Sequence, residues 1–503
     1  MASASLVTPN ESAIDRRVWW ILGIVGFFAV LVMKEVSLPS WIIAAFGCVG
    51  LVMLLAIGMR SPEIPLYILI AYLPFSRVLV GDFGTEATAF NLTNLFIVWV
   101  LIGHLLHSMS KRQALFVRAP LNKWVWLFCL MGAASLVRSG WDYGSWYAEA
   151  FILPLKRWLT PMFLYFLTLW VVRDKRPMKA IVVVIMVAVT VVGAMASWDY
   201  LSTSSSHNLE HARIGGIAQN PNTLGAFFNY YMFLLLSFWL VYAKKPKAWL
   251  LLIPFLICFR GIMVTFSRGA YLAFAAGSLT ACFFKKKPLF LVAAAVLWFA
   301  VTNPSLLPHG IQNRMGMTIK QRGDPSFYVE PIEDTLESSA AGRLVIWRGA
   351  VQIIEDHPWW GVGYGAFPQF ITYYTSGAAD YRDAHNSYLL IAAEMGIPTL
   401  VVFLLILLLV AYYTVWLYRH TSDRFMKAMA LGYLAGIGGL LVANLFGSRM
   451  DAQEVSSYFW VLAALVMRAV LIERQALRDA KNVTKKRNVF RARRHALLPR
   501  AAL

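Results

Sequence analysis

Long apolar stretches alternate with short polar ones along nearly the whole chain. A hydrocarbon core about 30 Å thick is crossed by roughly 20 apolar helical residues, and that ruler lays out about fourteen spans. They fall near residues 18–33, 41–58, 64–80, 94–107, 124–137, 160–172, 180–197, 224–242, 248–266, 269–284, 288–302, 397–417, 428–447 and 455–472. Segments 94–107 and 160–172 are the least marked, and merging or dropping a pair leaves twelve. The pattern predicts an all-α fold, a polytopic transmembrane helix bundle of about 12–14 spans. No fixed repeat period and no matched pair of Gly/Pro-broken helices is visible, which weighs against an inverted-repeat transporter.

One polar interval, 303–396, is far longer than the rest and predicts a lid or platform with a fold of its own. Within it, "GRLVIWRGAVQIIEDHPWWGVGYGAF" places Leu344, Trp347, Val351 and Ile354 on one face of an amphipathic helix. Arg343 stands near its start, Pro358 ends it, and "GVGYG" reads as a flexible turn. The helix is expected to lie on the membrane surface. The chain thus divides into N-terminal transmembrane helices (1–200), helices carrying arginine motifs (201–302), the long loop (303–396), C-terminal transmembrane helices (397–472) and a tail (473–503).

Composition agrees with that layout. Hydrophobic residues make up 59% and charged residues 14%, far from the roughly 25% charged of soluble domains. The net charge of +20 is distributed unevenly. Lys and Arg gather in alternate short loops, at Arg16/Arg17, Arg60, Lys111 to Lys123, and the 173–179, 244–247, 285–287 and 419–427 stretches. By the positive-inside rule those loops and both termini are cytoplasmic, and the 303–396 loop faces outward. From Arg474 onward ten Lys and Arg stand against one Asp, a tail suited to anionic lipid headgroups rather than nucleic acid. The first apolar run follows Arg16 and Arg17 without a small-residue cleavage pattern and reads as a retained anchor. Cys48, Cys129, Cys258 and Cys282 are too scattered for a metal or redox pair and read as small buried hydrophobes.

Candidate chemistry collects on the outward side. Arg213 precedes "NPN", where Asn220 and Asn222 flank Pro221 and either cap a helix or meet a ligand. Arg268, in "TFSRGAYLA", stands where two spans join. Arg260, eight residues earlier, is read as lying on the same helix, about 12 Å deeper at 1.5 Å per residue. At that depth a guanidinium costs roughly 2.5 kcal/mol unless it is paired or hydrated, which makes it a site candidate. Clustered guanidiniums suit a diphosphate, which they grip in bidentate fashion. His385 stands beside Asp383 and Asn386 at the start of a span; an imidazole takes a proton from a hydroxyl near neutral pH, and a carboxylate holds its tautomer. Trp347 and Asn386 join Arg213, Asn220, Asn222 and Arg260 as candidate substrate contacts. No carboxylate pair or His cluster has metal-ligand spacing, and the acids Glu333, Asp334 and Glu337 read as a solvated face rather than a glycosidase pair.

The segments "RIGGIAQNPNTLGAFF", "TFSRGAYLA", "GRLVIWRGAVQIIEDHPWWGVGYGAF" and "DAHNSYLLIAAEMGIPTL" together resemble the O-antigen ligase and O-antigen polymerase superfamily of bacterial membrane glycosyltransferases. The resemblance covers roughly residues 200–450; the N-terminal spans match only in being apolar. It implies a GT-C-like enzyme of the inner membrane, active on the periplasmic side in surface polysaccharide synthesis. Such an enzyme passes a glycan from undecaprenyl diphosphate to an acceptor hydroxyl without a metal ion or other cofactor. By the same resemblance Arg268 and Arg343 hold the diphosphate, His385 activates or positions the acceptor, and Arg213 and Asn222 bind on the donor side. Arg260 matches no motif of the family. The acceptor, whether lipid A core, a protein or another lipid-linked repeat unit, stays open; the long chain and basic tail lean toward a polymerase. A lipid-linked oligosaccharide flippase is the alternative, and would keep its charges along a midplane cavity rather than at one face.

Overall fold

A computed structural model describes residues 40–78, 91–203, 213–303, 305, 312, 338–379 and 382–496. The span expected at 18–33, the acids Glu333, Asp334 and Glu337, and the end of the tail lie outside the described residues. Helices α1 (Ser40–Arg60), α2 (Glu63–Tyr72), α3 (Leu92–Ser110), α4 (Asn122–Tyr143), α5 (Ser145–Val171) and α6 (Lys175–Thr203) form the N-terminal part. The middle contains α7 (Pro221–Tyr231), α8 (Phe233–Tyr242), α9 (Leu252–Met263), α10 (Arg268–Lys285) and α11 (Lys287–Thr302). After the long interval come α12 (Ser338–Asp356), α13 (Phe367–Tyr374), α14 (Ser387–His420), α15 (Arg424–Ala443) and α16 (Gln453–Ala496). No β-strand occurs among the described residues, and the chain is an all-α, polytopic helical bundle.

The expected spans within the described residues fall mainly on helices, but 224–242 is divided between α7 and α8 and 248–266 runs past the end of α9 into a turn. Among those residues seven helices, counting α7 with α8 and α9 with its preceding 3-10 turn, are long and apolar enough to cross a bilayer. The pair α1 and α2 is bent by 109°. At 22 and 27 residues, α4 and α5 have the length of spans but are more polar.

The bundle turns on α15 and α16. Nearly every residue of α15 is buried, because it runs between α8, α10 and α14. A Cβ added at Gly436 would lie 2.1 Å from the Tyr230 carbonyl oxygen, so only glycine permits that approach. From Val455 to Val470, α16 is almost wholly buried against α5. An apolar helix buried all round belongs in the middle of a membrane bundle. By contrast α11 has no buried residue and stands at the periphery.

Two local expectations need correction. The stripe that α12 buries is Ile346, Ala350 and Ile353, whereas Val351 is 43% exposed. Small residues decided this: α12 packs on α13 and α14, and Gly349 lets Ile371 come so close that an added Cβ would be 2.7 Å from its Cδ1. The "GVGYG" stretch, in turn, is pinned rather than flexible. At Gly396 (φ 82°, ψ 164°) α14 is broken, and the freed backbone pairs with the turn: Val362 N–H donates to Ala393 O and Gly363 N–H to Glu394 O, both at 2.8 Å, while Ile397 N–H donates to Pro358 O, also at 2.8 Å. Irregular backbone inside a membrane protein is stable only when so satisfied. The α4–α5 corner clamps the other side of the turn, with the Tyr143 hydroxyl donating to Val362 O (2.5 Å), that of Tyr147 to Tyr364 O (3.0 Å) and Arg138 to Gly361 O (3.0 Å).

Candidate functional site

Three of the arginines singled out in the sequence, Arg213, Arg268 and Arg343, converge on one end of the bundle. Arg213, Asn222, Ser267, Arg268 and Arg343 line a pocket of about 50 Å³, with Phe266 and Phe446 as its apolar sides. These residues come from four separate stretches of chain. Asn222 is the hub: its Oδ1 accepts from Arg213 Nη2 at 3.0 Å and from the Ser267 hydroxyl at 2.7 Å. Arg213 Nε also donates to Thr265 O at 3.1 Å. Ser267 is the N-cap of α10, so Arg268 opens a helix whose positive end points into the pocket and favours an anion. Three guanidiniums, a hydroxyl and a helix N-terminus make a site for a compact, multiply charged anion.

Two expected contacts have other duties or positions. Asn220 is the N-cap of α7, its Oδ1 accepting from Asn222 N–H (2.9 Å) and Thr223 N–H (3.3 Å). Arg260 is not on the same helix as Arg268, because the chain leaves the helix after Met263 and turns before starting α10. It lies exposed on the last turn of α9, outside the lining of the pocket.

His385 sits next to this pocket in a left-handed conformation (φ 48°). Its Nδ1 is 3.4 Å from Asp383 Oδ2, and its backbone N–H donates to the same carboxylate at 3.3 Å. Trp347 holds the turn in place by donating from its indole nitrogen to Ala384 O at 3.0 Å; it is a positioning residue for His385. Asn386 caps α14, accepting from Tyr388 N–H (2.9 Å) and Leu389 N–H (3.1 Å). Burial lowers the imidazole pKa below its ordinary value; Asp383 opposes that shift, and Arg343, Arg449 and Arg382 reinforce it. The ring is therefore neutral at pH 7 and able to accept a proton.

Arg449 and Asp451, in the short link between α15 and α16, went unnoticed in the sequence because nothing marks "GSRMDAQE" beyond its polarity. Arg449 is buried; its Nη1 donates to Thr223 at 3.0 Å and its backbone N–H to Ser387 Oγ at 3.2 Å. It thereby ties the start of α7 to the start of α14.

On the far side of Asp383 opens a cavity of about 790 Å³. Its walls include Tyr72, Arg77, Asn91 and Thr93 from the N-terminal helices, Phe151, Arg157 and Trp158 from α5, and Tyr364 from the pinned turn. Asp383, Glu394 and Asp451 face it from the C-terminal half. Glu394 is 6% exposed and accepts from Phe367 N–H at 3.4 Å. Asp451 is exposed at the cavity; the protein packed around it and Asp383 nearby raise its carboxyl pKa against the opposing effect of Arg449. Arg77 is bound to Glu454 at 3.1 Å. Among the described residues no three His, Cys, Asp or Glu side chains are grouped to hold a metal ion.

Residues 253–404 match a family model described as O-antigen ligase. The matched stretch contains Arg268, Arg343 and His385; Arg213, Arg449 and Asp451 fall outside it. No curated protein matches the chain.

Proposed function

This membrane protein carries a domain of the O-antigen ligase and polymerase superfamily, and from that premise we propose that it transfers a glycan from undecaprenyl diphosphate to an acceptor hydroxyl at the His385 end of the bundle. The observation that carries the reading is the convergence of Arg213, Arg268 and Arg343 on one small pocket beside a histidine whose surroundings keep it neutral. In this reading the bundle lies in the inner membrane with the site facing the periplasm and the termini in the cytoplasm.

The chemistry follows from what each group can do. The acceptor oxygen attacks the anomeric carbon as the bond from that carbon to the diphosphate oxygen breaks. The electron pair of the broken bond stays on the diphosphate, and the guanidiniums offset its charge as it leaves. With Nδ1 turned to Asp383, Nε2 of His385 is the nitrogen left to take the hydroxyl proton, and the Asp383 carboxylate steadies the imidazolium that forms. A diphosphate is already a good leaving group, so in this scheme fixed arginines do what a divalent cation does elsewhere.

The test is a transfer assay with purified protein, undecaprenyl-diphosphate-linked glycan and EDTA, comparing wild type with His385→Ala and Arg268→Ala. Wild type is expected to release undecaprenyl diphosphate and both folded variants to lose that release; a product ladder without added acceptor marks a polymerase. Variants that match wild type, or a wild type that consumes no donor with lipid A core, protein or a second repeat unit offered, would overturn the reading in favour of a transporter.

A further inference from the structure

His385 stands between two compartments of opposite charge. Arg343 both lines the small pocket and acts on the imidazole, whereas Asp383, within 3.4 Å of that imidazole, lines the large cavity. If the donor diphosphate occupies the arginine side, the cavity that Asp383 lines is the neighbouring space large enough for an acceptor. We propose that the cavity is the acceptor subsite, and that it takes an uncharged saccharide end and rejects one bearing phosphate or uronate. The proposal rests on the transferase reading for the word acceptor; the cavity's preference among saccharides rests on its own walls.

Size comes first. At about 790 Å³ the cavity lies in the range of small-ligand sites, while the arginine pocket of about 50 Å³ has room for little more than part of a phosphate-sized group. The lining chemistry is that of sugar recognition. Tyr72, Phe151 and Tyr364 offer ring surfaces to the apolar faces of pyranoses, and Asn91, Thr93 and Gln453 offer donors and acceptors to hydroxyls.

Charge then narrows the class. Asp383, Glu394 and Asp451 form the wall nearest the transfer centre, close enough that each of the other two acts on Glu394 and Asp383 acts on Asp451. Arg77 is paired with Glu454 at 3.1 Å, and Arg157 lines the same cavity from α5. A sugar hydroxyl can donate to any of these carboxyl groups, whereas a carboxylate or phosphate meets the like charge of Asp383 in a partly enclosed space. The same wall keeps the donor diphosphate from crossing into the acceptor side.

The experiment probes a glycan array of neutral, uronate-bearing and phosphorylated oligosaccharides with the purified protein in nanodiscs. Wild type is expected to bind a subset of the neutral glycans and none of the acidic ones. Ser76→Trp and Gln453→Trp, which fill the cavity from two different elements, are expected to weaken that binding about tenfold or more; Arg268→Ala is expected to keep it. The double variant Glu394→Gln with Asp451→Asn is expected to admit uronate-bearing glycans. Each variant is compared only after it elutes as a single species, and two blocking positions guard against one failing to fold. Binding confined to acidic glycans, filled cavities that bind like wild type, or an empty array overturns the proposal. Diphosphate release alongside an empty array overturns it alone; neutral-glycan binding without release overturns the transferase reading and leaves the cavity's preference standing.

Discussion

The arginine pocket and the acidic cavity are linked through the Asp383–His385 turn, yet they are built from different kinds of sequence. The pocket draws on short polar motifs at helix starts: Arg213 before α7 and Asn222 in its first turn, Ser267 and Arg268 at α10, Arg343 in the first turns of α12. The cavity draws its residues from helix interiors, helix ends and four links, spread from Tyr72 to Glu454. An anion needs several charges at once, so its site leaves a local trace in the sequence. A saccharide needs a shaped space, and shape is contributed one side chain at a time from everywhere.

The sharpest way to break this contrast is at the turn both compartments share. His385→Ala is expected to lower transfer about 10²- to 10⁴-fold, measured as diphosphate release by protein whose Tm is unchanged; a smaller effect would move the base elsewhere. Arg268→Ala is expected to cost about 10²- to 10³-fold, the usual size for one donor to a developing anion, with the saccharide binding of the cavity intact. Loss of both functions together would mean the two compartments are not separable.

Backbone strain offers a third test. Gly363 has φ 109° and leaves only 2.1 Å between an added Cβ and Ser139 Oγ. Gly363→Ala is expected to cost about 1–3 kcal/mol, seen as a lower Tm, and to impair the cavity before the arginine pocket, because Tyr364 lines only the former. The pH profile is a finer probe. Since the His385 pKa lies below its ordinary 6.5, transfer is expected to hold steady down to that pH and to fall only below it, as the imidazole gains a proton. Asp383 raises that pKa, so Asp383→Asn is expected to move the acid limb to still lower pH while slowing the reaction; a limb moving upward would contradict the pairing. The smallest effect is expected at Arg260, exposed on α9, where Arg260→Gln should leave transfer as it was.

Much of the site was legible because charge is conspicuous in an apolar chain. Arg213, Asn222, Arg268, Arg343 and His385 stand out against their neighbours, and four of them line one pocket with the fifth beside it. Asn220 and Asn386 proved to be helix caps, a use for which the same residue type is equally suited. Arg260 misled because a helix was assumed to run unbroken through Val264–Ser267, where no glycine or proline warns of the turn. Arg449 and Asp451 left no signal, since two charged residues in a polar link look like any solvated loop.

Read alone, the chain already predicts a helical membrane protein, because the cost of bare backbone and charge in hydrocarbon writes spans and loops directly into composition. It also names the arginines and the histidine. Tertiary packing decided which of these meet, which face of α12 is buried, and that α14 breaks at Gly396 so that a glycine-rich turn can dock there. It also decided that the N-terminal helices enclose half of a cavity. Those outcomes depend on contacts between residues hundreds of positions apart, such as Arg77 with Glu454 and Arg449 with Thr223, and no local pattern encodes a distance of that kind.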